Sequence, residues 1–133
     1  MEQILLDTDI ISYYMRSDEQ VVANYTQHID LYGFVYISRI SVLEILGGLK
    51  IKNATTQIQQ FRNFLAQNQI LELTPYAAEI ASDIFAELYK QGKHSGNYDV
   101  LIASIAIENE LSLCTNNTKD YQNISQLNLV NWK

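Results

Sequence analysis

Cysteine is nearly missing from this sequence: Cys114 stands alone in 133 residues, beside one proline and five glycines. One cysteine allows no internal disulfide and no cysteine-built zinc site, which fits a reducing compartment. So little proline and glycine, with no low-complexity tract, argues against a disordered chain. Long apolar runs are absent too. VLIASIAI at 100–107 is the most apolar stretch and falls far below the roughly 18 residues of a membrane span. The opening MEQILLD carries an acid where a secretory leader would carry bases, so no leader is expected. Basic residues are scarce as well: nine Lys and Arg against fifteen Asp and Glu leave a net charge of −6. That balance speaks against a protein that grips nucleic acid through its overall field.

What is abundant is apolar material, 47% of the chain, against 18% charged. This length and composition predict one domain over 1–133 with a full core, and a cytoplasmic protein without membrane association. Strand and helix signals alternate along it. Short β-rich runs stand at 3–6, 34–38, 70–73, 111–115 and 127–130. Between them, helical spacing or capping signals mark 7–15, 17–29, 41–48, 55–67, 74–92 and 98–109. Ser17 to Gln20 has capping-box spacing, Thr74-Pro75 reads as an N-cap with proline at the first helical position, and Gly92 as a C-cap. Such alternation predicts an α/β fold with a mainly parallel central sheet of four or five strands flanked by helices. Ligands of such sheets bind beyond the carboxyl ends of the strands.

Five acids, Asp7, Asp9, Glu44, Asp99 and Asp120, fall at or near element ends, and without them the net charge of −6 drops to −1. Each has an ordinary explanation. Asp7 or Asp9 can cap a helix, Glu44 can complete a capping box with Ser41, Asp99 suits the first turn of a helix, and Asp120 can be a surface acid. Yet Glu44 stands inside ISVLEILGGL and Asp99 adjoins VLIASIAI. Acids in core-facing segments are paired or metal-bound, because burying a lone charge is costly. Crowded carboxylates raise one another's pKa, and a divalent cation relieves the conflict. Oxygen-only ligands suit Mg²⁺ or Mn²⁺ rather than zinc, and an open site of this kind hydrolyses phosphodiesters.

Four stretches carry a resemblance over essentially the whole chain: LLDTDIIS at 5–12, ISVLEILGGL at 40–49, GNYDVLIASIA at 96–106 and TNNTKDYQNISQLNLVNW at 115–132. In this order they resemble the PIN-domain ribonucleases, specifically the VapC toxins of bacterial toxin–antitoxin pairs. The resemblance implies Asp7, Glu44 and Asp99 as the acids holding Mg²⁺ or Mn²⁺, with Thr115 and the turn after it as a fourth corner. The wider family often has an acid two residues after that threonine, where this chain has Asn117; an acid follows at Asp120. Either can be the fourth group, and one or two metals are both open. Thr8 and Asp9 are supporting residues, Asp9 standing where many relatives have asparagine. Asn97 replaces a proline common in close relatives. The resemblance further implies cleavage of RNA at few sites, frequently in tRNA, and inhibition by a VapB-like antitoxin whose C-terminal segment covers the active site. Toxin dimers and toxin–antitoxin hetero-oligomers are implied too, with DNA bound only through the antitoxin.

Arg39, Lys50, Lys52, Lys93 and Lys119 lie in or beside segments expected near the acids, so some of them are candidates for a basic rim that holds RNA. His94 is a candidate general acid, and tyrosines such as Tyr13, Tyr14 and Tyr98 can stack on bases. Two rivals remain. Asp7-Thr8-Asp9 after a strand is similar to the nucleophile motif of haloacid-dehalogenase phosphatases, with Asp7 phosphorylated and Asp9 as acid–base; that reading leaves Glu44 and the 115–120 turn without a role. A catalytically silent PIN-like binding module is the other, and it has no use for buried, mutually repelling acids.

Overall fold

The computed structural model describes residues 3–133. Five short strands, β1 (Ile4–Leu6), β2 (Tyr36–Ser38), β3 (Gln69–Leu71), β4 (Ser112–Cys114) and β5 (Leu129–Val130), form one sheet in the order β3-β2-β1-β4-β5. Every pairing is parallel, with Leu5 opposite Tyr36 on one side and Leu113 on the other. The chain therefore builds outward from β1 to β3, then returns to the far side of β1 for β4. The β1–β4 seam is thus the point where strand order reverses, and open α/β sheets bind ligands at such a point.

Both faces of the sheet are covered, as a parallel sheet requires. Alternation along β1 sends Ile4 and Leu6 to one face, where they meet Ile10, Ile11, Val21, Ile37, Phe61 and Cys114. Leu5 points the other way with Leu113, onto Ile102, Ala103, Ile105, Ala106 and Tyr121. The helices are α1 (Thr8–Met15), α2 (Glu19–Tyr32), α3 (Arg39–Ile51), α4 (Thr55–Ala66), α5 (Pro75–Lys90), α6 (Asn97–Glu108) and the single turn α7 (Thr118–Tyr121). Helix α6 is buried almost all round, from Val100 through Ala106, which is why its sequence lacks a polar stripe.

Several local expectations needed correction. Asp18, not Ser17, caps α2 by accepting from the Val21 amide; Ser17 sits at φ 62 in the tight connection from α1. Ser38 caps α3 through the Ser41 amide, so Ser41–Glu44 is not a capping box. Helix α3 also runs through Gly47-Gly48 to Ile51, because neighbouring helical residues outvote two glycines. The Thr74 cap and Pro75 at the start of α5 are as expected, and Gly92 adopts φ 67 just beyond the end of that helix.

Candidate active site

Parallel pairing sets the carboxyl ends of β1, β2 and β4 side by side, and each strand hands its next residue to the same edge. Asp7 follows β1, and its amide donates to the Cys114 carbonyl (2.9 Å), which extends the β1–β4 ladder by one bond. Thr115 follows β4, and Ser38 ends β2. Helix α6 brings Asp99 in its first turn, and α7 brings Tyr121.

Asp7 is only 3% exposed, and both its oxygens are occupied. Oδ1 accepts from the Thr8 amide at 2.8 Å. Oδ2 accepts from the Thr115 hydroxyl at 2.8 Å and from the Tyr121 hydroxyl at 3.0 Å. Helix capping and site chemistry are therefore one residue's work. Burial, above all, pushes the Asp7 carboxyl up to about 7, with neighbouring Asp9 adding to the rise and the hydrogen bonds opposing it.

Asp99 Oδ1 accepts from the same Tyr121 hydroxyl at 3.1 Å. Desolvation raises its pKa, and the charges of Asp120 and Asp9 raise it further. Gly96, just before α6, leaves room for this carboxylate: a Cβ there would stand 3.2 Å from Asp99 Oδ2.

Glu44 lies in the second turn of α3 and is reached by a chain of hydroxyls. Thr8 Oγ1 donates to Glu44 Oε1 at 2.8 Å. That proton spent, the 2.8 Å contact between Thr8 and Ser41 requires Ser41 to donate, and Ser38 donates to Ser41 at 3.3 Å. Burial raises the Glu44 pKa, and Asp99 adds a like-charge push. Asp9 Oδ2 accepts from the Asn116 amide at 3.0 Å, while its Oδ1 is buried with no hydrogen-bond partner. Its pKa is raised too, by burial first.

Four carboxylates, Asp7, Asp9, Glu44 and Asp99, thus share one electrostatic neighbourhood, all pushed toward protonation. Among the described residues no three acids, histidines or cysteines are already grouped as an ion cage. A divalent cation nevertheless fits the donor chemistry: the acids offer oxygen only, they repel one another, and the orphaned Oδ1 of Asp9 is a buried acceptor awaiting positive charge. The other sequence candidates are distributed unevenly. Asn117 is exposed and its amide donates to Thr115 Oγ1 (3.0 Å). Asp120 is exposed at the rim, its carbonyl held by the Ser95 hydroxyl at 3.0 Å.

The basic candidates fall on α3 and its end, in the loop before α6, and on α7. Lys119 sits on α7, two residues before Tyr121, whose hydroxyl meets Asp7 and Asp99. Arg39 is bound to Glu72 at 2.6 Å. Lys50 is near the opposite end of α3, about 16 Å along the helix from Arg39, with Lys52 just beyond. Lys93 lines an open cleft of about 810 Å³ beside α5 with Tyr76, Asp83, Glu87 and Ile124, and none of Asp7, Asp9, Glu44 or Asp99 lines that cleft. His94 is exposed in the loop before α6.

Sequence reasoning singled out Thr8 and Thr115 but overlooked the other hydroxyls that organise these acids. Tyr121 is fully buried and joins Asp7 to Asp99, and its signal was an aromatic residue one place after Asp120. Ser38 and Ser41 bore the signal of ordinary caps.

A five-stranded parallel sheet of this order, with acids converging at its carboxyl edge where the strand order reverses, is an α/β domain built to bind a ligand at that point. The chain belongs to the PIN-domain family, whose model matches residues 4–126. Among curated proteins it is 31% identical over 134 residues to "Ribonuclease VapC2" of Haemophilus influenzae, covering 99% of each chain. It is 26% identical to "tRNA(fMet)-specific endonuclease VapC" of Shigella flexneri, again over 99% of both. Among solved structures it is similar to VapBC2 of Rickettsia felis bound to a DNA fragment from its promoter, at 27% identity and a TM-score of 0.90, covering 99% of this chain and 100% of that one. The phosphatase alternative falls with this membership, and Asp7, buried with both oxygens engaged, is poorly disposed to act as a nucleophile.

Proposed function

We propose that this chain is a VapC-type endoribonuclease toxin that hydrolyses RNA phosphodiester bonds with Mg²⁺ or Mn²⁺ and is neutralised by a VapB-like antitoxin. The carrying observation is the set of four buried or half-buried carboxylates at the strand-order reversal, with one buried oxygen of Asp9 unpartnered. A bound divalent cation supplies charge for the phosphate and lowers the pKa of attacking water. Asp7, Glu44 and Asp99 are the residues that would hold it, with Asp9 and the exposed Asp120 as further acceptors. Thr8 and Thr115 fix the oxygens of Glu44 and Asp7, so these acids enter the reaction already oriented. Lys119, on the rim, meets the RNA backbone.

The names of the relatives support the rest of the reading. Structured RNA, tRNA included, is the substrate class to test first. The partners are the antitoxin and a second toxin chain, with DNA engaged through the antitoxin. Among the described residues no helix is long and apolar enough to cross a membrane, and the proposed site of action is the cytoplasm, where RNA is.

The test is incubation of antitoxin-free protein with total cellular RNA and with purified tRNA, in Mg²⁺, Mn²⁺ or chelator, followed by sequencing of fragment ends. Discrete cuts that need the metal and vanish in Asp7→Asn are expected. RNA left intact in every condition, by protein that still binds its antitoxin, would replace this reading with that of a binding module.

A further inference from the structure

The phenol of Tyr121 reaches both Asp7 Oδ2 (3.0 Å) and Asp99 Oδ1 (3.1 Å), while its ring fills the core beneath the sheet at 1% exposure. The two acids come from elements far apart in sequence, the end of β1 and the first turn of α6. The Tyr121 hydroxyl lies within hydrogen-bond distance of both carboxylates. We propose that Tyr121 is a positioning residue that sets the separation and facing of Asp7 and Asp99, so that the pair meets a divalent cation ready arranged. This inference rests on the reading of the site given above.

Three features carry it. A phenol is a rigid donor: two side-chain torsions, both locked by packing against Leu5, Leu113 and Ile124, fix where its oxygen stands. A second tie acts on the α7 backbone alone: Ser95 Oγ donates to the Asp120 carbonyl, and the packed ring keeps its place without it. And the phenol has a single hydrogen, shared between the two carboxylates rather than given in full to either. It holds the pair together without neutralising it, which leaves the charge in front of the acids for a cation. The effect of the hydroxyl passes through the two acids it bonds. Partners of this kind, holding ligands from behind, are typically worth 10- to 100-fold in metal affinity.

The experiment is Mn²⁺ titration of the intact chain by calorimetry, with wild type, Tyr121→Phe and Ser95→Ala compared. Tyr121→Phe keeps the ring and removes one oxygen; Ser95→Ala loosens α7 and leaves the phenol in place. Weakening of Mn²⁺ affinity by at least 10-fold in Tyr121→Phe, with Ser95→Ala within about twofold of wild type, is expected. RNA cleavage by Tyr121→Phe is then lost at low Mn²⁺ and regained as Mn²⁺ is raised. If the Phe variant is too unstable to titrate, the Mn²⁺-induced rise in Tm at reduced temperature and equal protein concentration reads the same affinity. Equal affinity in wild type and Tyr121→Phe, or an equal loss in both variants, overturns the positioning role and leaves the nuclease reading standing. Failure of the wild type itself to bind Mn²⁺ removes the basis of both.

Discussion

Asp7 is the residue on which the site turns, and its chemistry makes a pH prediction. Burial pushes its carboxyl up to about 7 in the cation-free protein, well above the ordinary 3.8. A raised acid pKa means the folded state binds the proton more tightly than the unfolded state. The resulting stability is fully present below about pH 4 and is lost as pH rises through 7, a change of at most roughly 4 kcal/mol. Asp9, Glu44 and Asp99 shift in the same direction. In chelator, the urea midpoint should therefore fall between pH 5 and pH 8, and Asp7→Asn should flatten that slope. Saturating Mn²⁺ at pH 8 should restore the midpoint, by about 2.7 kcal/mol at a hundredfold excess over Kd. A midpoint that rises with pH in chelator would contradict this account of the buried acids.

At the scale of elements, the glycines separate two effects that sequence alone merges. Gly33 ends α2 at φ 85, its amide bonded to the Ile29 carbonyl at 2.8 Å. Gly33→Ala should cost about 1–2 kcal/mol, read as a lowered urea midpoint, although an added Cβ meets nothing within 4 Å. Gly47 has the same open surroundings but lies inside α3, so Gly47→Ala should stabilise by about 0.5–1 kcal/mol. At the start of α5, Thr74 Oγ1 accepts from the Ala77 amide and donates to Glu108 on α6 at 2.7 Å. Thr74→Ala should lose about 1 kcal/mol and loosen the α5–α6 packing that supports Asp99, which hydrogen exchange of the α6 amides can follow. Most of these elements were legible as sequence. Thr74-Pro75 and the 100–107 run are local signals, whereas the strands are two or three residues long and reveal themselves mainly by their connections.

For the whole molecule, an excess of acid has to be reconciled with an RNA substrate. Lys119 should matter most among the rim candidates: Lys119→Ala is expected to weaken RNA binding across sequences and to lower the salt slope of log K by about 0.7–0.9. Arg39→Ala should leave both nearly unchanged, since its guanidinium is already paired with Glu72, and should change stability by under about 1 kcal/mol because the pair is exposed. Binding isotherms over a salt series distinguish the two. Equal losses for Arg39→Ala and Lys119→Ala would mean the Glu72 pair opens to RNA. The rim candidates are spread along the chain: Arg39 and Lys50 stand at the two ends of a helix of 13 residues, and Lys93 lines a cleft beside α5.

The sequence by itself determined the fold class, because apolar periodicity and caps are local properties that need no knowledge of distant contacts, and the family, through the resemblance its four stretches carry. It could also flag Glu44 and Asp99 as costly, since charge inside apolar stretches demands a partner wherever the chain goes. Only the tertiary structure decided which partners answer that demand. Thr115 and Tyr121 meet Asp7 across more than a hundred residues, and Thr8 meets Glu44 across 36. The Asp7 contacts exist because β4 pairs beside β1 rather than beside β3, and the Thr8–Glu44 contact because β2 flanks β1 on its other side. Strand order is a global choice, settled by how both faces of the sheet are covered, and no window of sequence contains it.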